Sequence, residues 1–304
     1  MGTLPLSRDD ELRNQDEPFA IIPEAYDPTW EVKVRAYPDT LAYLLKLACG
    51  APTSVAGDGV ITDQGGTPVP TGATRHRWTA PFGPSGASPL TAQVDIAYSD
   101  QSTYFKAKGA TVQQLDLSTP TQGGAQVHAQ GPAAYLSRQS NPSLTPAYES
   151  LSIRPFMRSN LTLPTNLSGT GTTEDFTLSV HNPVATVRSL GAASKWADVV
   201  EKDNVGSIVV SGTIPKRQLD QDDVDALRNS TGFALLASWV SDTFVTGSYP
   251  YKFYFSASNA QYDAGDPDPL MNKRRHGHQL NWKSTTASTG SSVFEVVNAT
   301  ASYA

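Results

Sequence analysis

Residues 90–119 read LTAQVDIAYSDQSTYFKAKGATVQQLDLST. Thr91, Gln93 and Asp95 alternate with Ala92, Val94 and Ile96, the period of a strand that buries one face and wets the other. STYFKAK (102–108) continues in β-favouring residues. In TVQQLDLST (111–119), Val112 is followed by two glutamines before Leu115 and Leu117, so a bulge is expected to interrupt the alternation. This stretch sets the fold class: strands with one apolar and one polar face, joined by short connections.

The same texture extends outward. WEVKVR (30–35), RHRWTA (75–80), DFTLSVHNPV (175–184), SIVVSGTI (207–214), FALLASWV (233–240), YPYKFYFSAS (249–258), GHQLNWKS (277–284) and SSVFEVVNATASY (291–303) all read as strands. Two helices interrupt them. TLAYLLKLACG places Leu41, Leu44, Leu45 and Ala48 on one face, with Asp39 or Thr40 as the expected cap and Gly50 as the stop. LDQDDVDALRNSTG has Asp220 as the expected cap, with Asp222 and Asp223 in the positive first turn. The order strand, short helix, several strands occurs twice, which points to two related halves. The expected organisation is an N-terminal arm over 1–29, a first β domain over 30–150 and a second over 151–304. The Gly/Thr/Pro-rich segment 51–74 is expected as a long structureless loop, and loops of that length are usually functional or disordered. The proline- and glycine-punctuated region 120–170 is expected to hold one or two strands around SLSIRPFMRSNLTLP.

Composition agrees. The 304 residues carry 23 Gly and 22 Pro, and only 17% are charged, which suits strands and turns over long helices. The net charge of −6 argues against a DNA clamp, because phosphate binding needs a cationic footprint. Cys49 is the single cysteine, so no disulfide framework forms within the chain. The start, MGTLPLSRDDELRNQDEP, has no apolar core of signal-peptide length, and no other run is long enough to span a membrane; synthesis in a cytosol is expected.

Motifs for chemistry are sparse. His276 and His278 in KRRHGHQ form a pair without a matching carboxylate or thiol, short of a metal site. The aspartates 220–225 lack the glycine and distal glutamate of a calcium loop and fit a helix N-terminus instead. Trp30, Trp78, Trp196, Trp239 and Trp282 fall on or beside strands and read as packing residues. Asp95 and Asp116 on neighbouring expected strands are the one hint of paired carboxylates that a glycan-processing or carbohydrate-binding β-sandwich would use. No P-loop, dinucleotide fingerprint or nucleophile elbow occurs. No catalytic residue, metal or cofactor is assigned.

Several stretches together resemble the tail tube (major tail) proteins of long-tailed bacteriophages. They are VKVRAYPDTLAYLLKLACG, RHRWTAPFGPSGASPLTAQVDIAY, YFKAKGATVQQLDLS, DFTLSVHNPVATVRSLG, GSIVVSGTIPKRQLDQDDVDALRNSTG and the closing SSVFEVVNATASY. The resemblance runs from about Trp30 to Tyr303 and leaves 1–29 outside. It implies a mainly β chain with short flanking helices: two tandem tube-type β-sandwich or half-barrel folds that contribute strands to a closed ring. Stacked rings would form a hollow tube in the virion tail that conducts double-stranded DNA without specific binding. The implied partners are further copies of the chain, as trimeric pseudo-hexameric or hexameric rings, and the tape measure, tail terminator and distal tail proteins; no membrane is implied. Inter-subunit candidates are the charges in and beside the 51–74 loop (Asp58, Asp63, Arg75, Arg77) and the basic cluster Lys273, Arg274, Arg275. A tail terminator or capsid decoration protein is the alternative within the virion, and a carbohydrate-binding module the alternative outside it.

Overall fold

A computed structural model describes residues 6–8, 21–23, 27–82, 89–97, 103–120, 123–140, 152–163, 176–187, 197, 199–202, 208–216, 221–229, 232–263, 268–272, 275–284 and 292–303. The chain is mainly β. Thirteen strands form one antiparallel sheet that folds over on itself into two layers.

Layer A runs in the order β3 (Thr29–Arg35), β9 (Gln126–Pro132), β8 (Gln114–Thr119), β12 (Phe176–His181), β15 (Val209–Lys216), β19 (Arg275–Ser284). The short β18 (Asp268–Asn272) pairs with the first half of β19. Layer B runs β16 (Phe233–Thr246), β17 (Tyr249–Tyr262), β20 (Ser292–Asn298), β5 (Thr74–Thr79), β4 (Thr53–Ala56). β11 (Leu161–Thr162) lies against β16. The layers join where Ala260–Tyr262 of β17 pair with Trp282–Ser284 of β19. Strands from before and after residue 150 therefore share one sheet, through β8–β12 and β5–β20. A separate three-stranded sheet is ordered β10 (Tyr135–Ser140), β7 (Thr103–Ala110), β6 (Ala92–Ala97), and β1 (Leu6–Arg8) with β2 (Ile21–Pro23) and β13 (Val184–Val187) with β14 (Val199–Lys202) form two hairpins.

The core lies between the layers. Phe176 of layer A sits 5.7 Å from Trp239 of layer B, and Trp282 sits 5.7 Å from Phe255 (ring centroids). Trp239 Nε1 donates to Thr119 Oγ1 across the gap, so the indole is buried without an orphaned donor. Helix α1 (Pro38–Cys49) closes this core, burying Leu41, Leu44, Leu45, Leu47 and Ala48. Helix α2 spans Gln221–Asn229.

Several sequence expectations are revised. The first helix begins at Pro38 after Tyr37, with no side-chain cap from Asp39 or Thr40; proline's fixed φ and missing N–H suit the first helical position. Gly50 ends it as expected, at φ 93° with its N–H on Lys46 O. Asp220 lies outside the described residues. The alternation breaks where expected: Gln114 at the start of β8 pairs with Gln130, and Gln113 N donates to the same residue's O after Thr111 N donates to Pro132 O, so two residues stand opposite one of β9, as in a bulge. The 51–74 segment is not structureless: β4 pairs with β5, and Thr62 bridges to Pro68. β9 and β10 occupy the region expected to hold strands only further on. In β9 the buried positions are Val127, Ala129 and Gly131, too small to register as an apolar stripe. At Gly131 the neighbouring backbone is close: a Cβ there would lie 2.0 Å from Thr111 O.

Candidate functional site

The alternation on layer A's strands places their polar residues on its outer face, in register. Lys33 on β3 stands opposite His128, His128 opposite Asp116, Asp116 opposite Ser179, Ser179 opposite Ser211, and Ser211 opposite Lys283. The flanking row on one side runs Arg35, Gln126, Ser118, Thr177, Thr213, Asn281. Glu31, Gln130, Gln114 and His181 form the row on the other. On β8, β9, β12 and β15 this face offers amides, hydroxyls and two histidines, with Asp116 its one carboxylate among the described residues and exposed Val209 opposite His181. Side chains bridge it: Thr177 and Thr213 hydroxyls lie 2.7 Å apart, Gln114 Nε2 donates to Asp116, and His128 Nε2 lies 2.9 Å from Glu31 Oε1. The opposite sides of the same strands bury Leu115, Leu117, Leu178, Val180, Val210 and Ile214.

Layer B's outer face differs. The part of the 51–74 segment between β4 and β5, around Asp63 and Gln64, lies across it, held by buried charges. Asp63 Oδ2 accepts from Lys252 Nζ and from Tyr249 Oη, each at 2.6 Å, and Asp63 Oδ1 accepts from Thr67 N. Burial opposes ionisation of Asp63, but the bonds from Lys252, Tyr249 and Thr67 outweigh it and hold the carboxyl below its usual range. Glu295 accepts from Gln64 N and from Arg77 Nε. Here burial wins, and the carboxyl is pushed up despite Arg77. Beyond the segment, Leu236, Val240 and Phe244 of β16 are exposed.

A second lock ties the closing residues to α1. Asp39 Oδ1 accepts from Asn298 Nδ2, Thr300 Oγ1 and Tyr303 Oη, and Asn298 also donates to Tyr303 Oη. His76 Nε2 faces two acceptors, Asn298 Oδ1 and Thr300 O. It therefore carries the proton, and Nδ1 accepts from Ser54 Oγ at 2.8 Å. Burial lowers the His76 pKa.

The sequence-derived candidates are distributed across these features. Asp63 and Arg77 are engaged within the chain, and Asp63 is 4% exposed. Arg75 Nη1 donates to Thr62 O. Asp58 is exposed and caps its own turn through Val60 N and Ile61 N, which lowers its pKa. Arg275 begins β19 opposite Asn272; Lys273 and Arg274 lie outside the described residues. Asp95 and Asp116 are not on neighbouring strands: among the described residues β6 pairs only with β7 in its own sheet, while β8 belongs to layer A. The carboxylate pair of the glycan reading is therefore not assembled. Trp30, Trp78, Trp239 and Trp282 are buried, and Trp196 lies outside the described residues. No group of three or more metal-binding side chains occurs among the described residues, and none of their helices is long and apolar enough to cross a membrane. Sequence reasoning missed Lys252, Glu295 and Asn298, and the anchoring role of Asp39, because the partners lie 189, 231 and 259 positions away.

A family model described as phage tail tube protein matches residues 2–284. The chain belongs to this family. It is a structural protein of the phage tail, and its place is the virion. The match takes in the N-terminal arm, which the resemblance had left out, and stops short of β20, which the resemblance had included. No curated protein matches the chain.

Proposed function

We propose that copies of this tube protein assemble side by side into rings, that the rings stack into the hollow tail tube, and that layer A's outer face lines the bore through which double-stranded DNA passes. The observation that supports this reading is the register of neutral polar side chains across β9, β8, β12 and β15. DNA gains affinity wherever cations replace its condensed counterions. A wall of amides and hydroxyls stays wet yet offers almost no such exchange, so the polymer slides without capture. The chain's net charge of −6 also disfavours DNA adhering elsewhere.

The halves read from the repeated order strand, helix, strands would let three chains complete a pseudo-hexameric ring; six chains would form a hexameric one. The tape measure protein would fill the bore during assembly, and terminator and distal tail proteins would cap its ends. Negative-stain electron microscopy of the purified chain at high concentration tests the assembly. Hollow tubes or stacked rings are expected; uniform small particles at every concentration contradict it.

A further inference from the structure

Two histidines stand on layer A's open face, close to its one carboxylate on the four central strands. His128 on β9 lies directly opposite Asp116 of β8. His181 on β12 lies opposite Gln114, which makes the same Asp116 its diagonal neighbour. Both imidazoles reach solvent: His181 is exposed, and the His128 side chain is 30% exposed. The charges around them can be followed strand by strand. On β3, Lys33 faces His128, with Glu31 and Arg35 on either side. Glu31 Oε1 lies 2.9 Å from His128 Nε2, and Asp116 Oδ2 lies 3.8 Å from Nδ1. Towards β15, His181 meets Val209, and the β13–β14 hairpin that follows carries Glu201 and Lys202, one charge of each sign. Lys283 at the far side of the face is paired with Asp263 at 2.8 Å. With both histidines neutral, Glu31 and Asp116 therefore balance Lys33 and Arg35. With both protonated, the face of each chain gains two positive charges in excess.

We infer that layer A's face is a pH-dependent phosphate-binding surface, passive towards double-stranded DNA while His128 and His181 are neutral and gripping its backbone once they are protonated. This deepens the bore reading above and rests on it. Histidine is the side chain whose charge changes between roughly pH 5 and 8. A cation set against DNA releases condensed counterions, so the grip strengthens at low salt and fades as salt rises. It carries no sequence preference, because phosphates are what it meets. Ring symmetry multiplies the effect: each chain around the bore brings the same two histidines, so a duplex inside gains cations on every side. The wall is slippery because of its amides and hydroxyls, and it stays so only while these two side chains are uncharged.

Preassembled tubes of the full chain, mixed with a short linear duplex of mixed sequence and sedimented at about pH 7.5 and about pH 5.5, test this. At low salt about tenfold more duplex is expected in the pellet at the lower pH, and the gain should vanish as salt is raised. His128→Gln with His181→Gln should abolish the acid gain, and His181→Gln alone, at an exposed position, should reduce it. Equal retention at the two pH values, or an acid gain undiminished in the variants, overturns the inference and leaves the tube reading intact. A duplex carrying streptavidin on both biotinylated ends is too bulky to thread a bore and separates the two readings. An acid gain confined to the open-ended duplex supports both. A histidine-dependent gain of the same size with the blocked duplex supports the grip and overturns the placement of layer A in the bore.

Discussion

Layer A and layer B are built from the same alternating strands, yet their outer faces are treated in opposite ways. Layer A's face carries mostly uncharged polar side chains across four strands, with Asp116 the one carboxylate among the described residues, and is left open. Layer B's face carries Lys252, Glu295, Arg75 and Arg77 in cross-strand register, and the chain covers it with its own 51–74 segment. Charge on an open wall would capture or repel DNA, whereas charge beneath a cover can fasten that cover. Under the proposed function the open face is a surface for passage, and the covered one is an anchor.

The anchor can be broken. Lys252→Ala leaves Asp63 ionised, buried and without its cation, and is expected to cost about 3–5 kcal/mol, measured by denaturant unfolding. Joint replacement with Asp63→Leu and Lys252→Met should cost clearly less than the single change, because no charge is stranded. Next in size is Asp39→Ala, which deprives three donors of their acceptor and should cost about 1–3 kcal/mol.

The two buried carboxylates sharpen the contrast within layer B. The fold favours the charged form of Asp63 and disfavours that of Glu295. Asp63 therefore contributes stability above its ordinary pKa of 3.8, lost as pH falls below it through the lowered value. Glu295 contributes below 4.5, and that contribution is lost as pH rises through its raised pKa. Asp63→Asn should destabilise at neutral pH more than Glu295→Gln does. His76 is lowered from 6.5. Below pH 6.5 the unfolded chain takes up a proton that the folded one refuses, so stability falls on acidification until the folded pKa is reached. His76→Gln should flatten the thermal-melt dependence between pH 7 and 5.5.

Layer A's face should tolerate change. Ser179→Asn and Gln130→Ser are expected within about 0.5 kcal/mol of the parent. Ser179→Lys with Ser211→Lys should leave the melting temperature nearly unchanged while creating salt-sensitive binding of double-stranded DNA to tubes, measured by co-sedimentation.

Much of this was readable in sequence where side chains are large. β8, β12 and β15 announce themselves because Leu115, Leu117, Leu178, Val180, Val210 and Ile214 alternate with polar residues. The polar side of the same alternation already marked the open face. β9 escaped because its buried side is small, with Ala129 and a Gly131 that close backbone approach demands, although Gln126, His128 and Gln130 alternate beside them. The covering segment read as a loop for a different reason. Its order comes from Lys252 and Glu295, far along the chain, and local spacing carries no trace of partners 189 and 231 residues away. The edges of layer A depend on which strands find neighbours, a property of the whole topology.

The most direct test of the central claim is a cryo-electron microscopy reconstruction of assembled tubes, read for which layer faces the bore. The account predicts β9, β8, β12 and β15 along the channel wall, with Gln114, Ser179 and Ser211 pointing into it. A bore lined instead by layer B and its covering 51–74 segment would contradict the account.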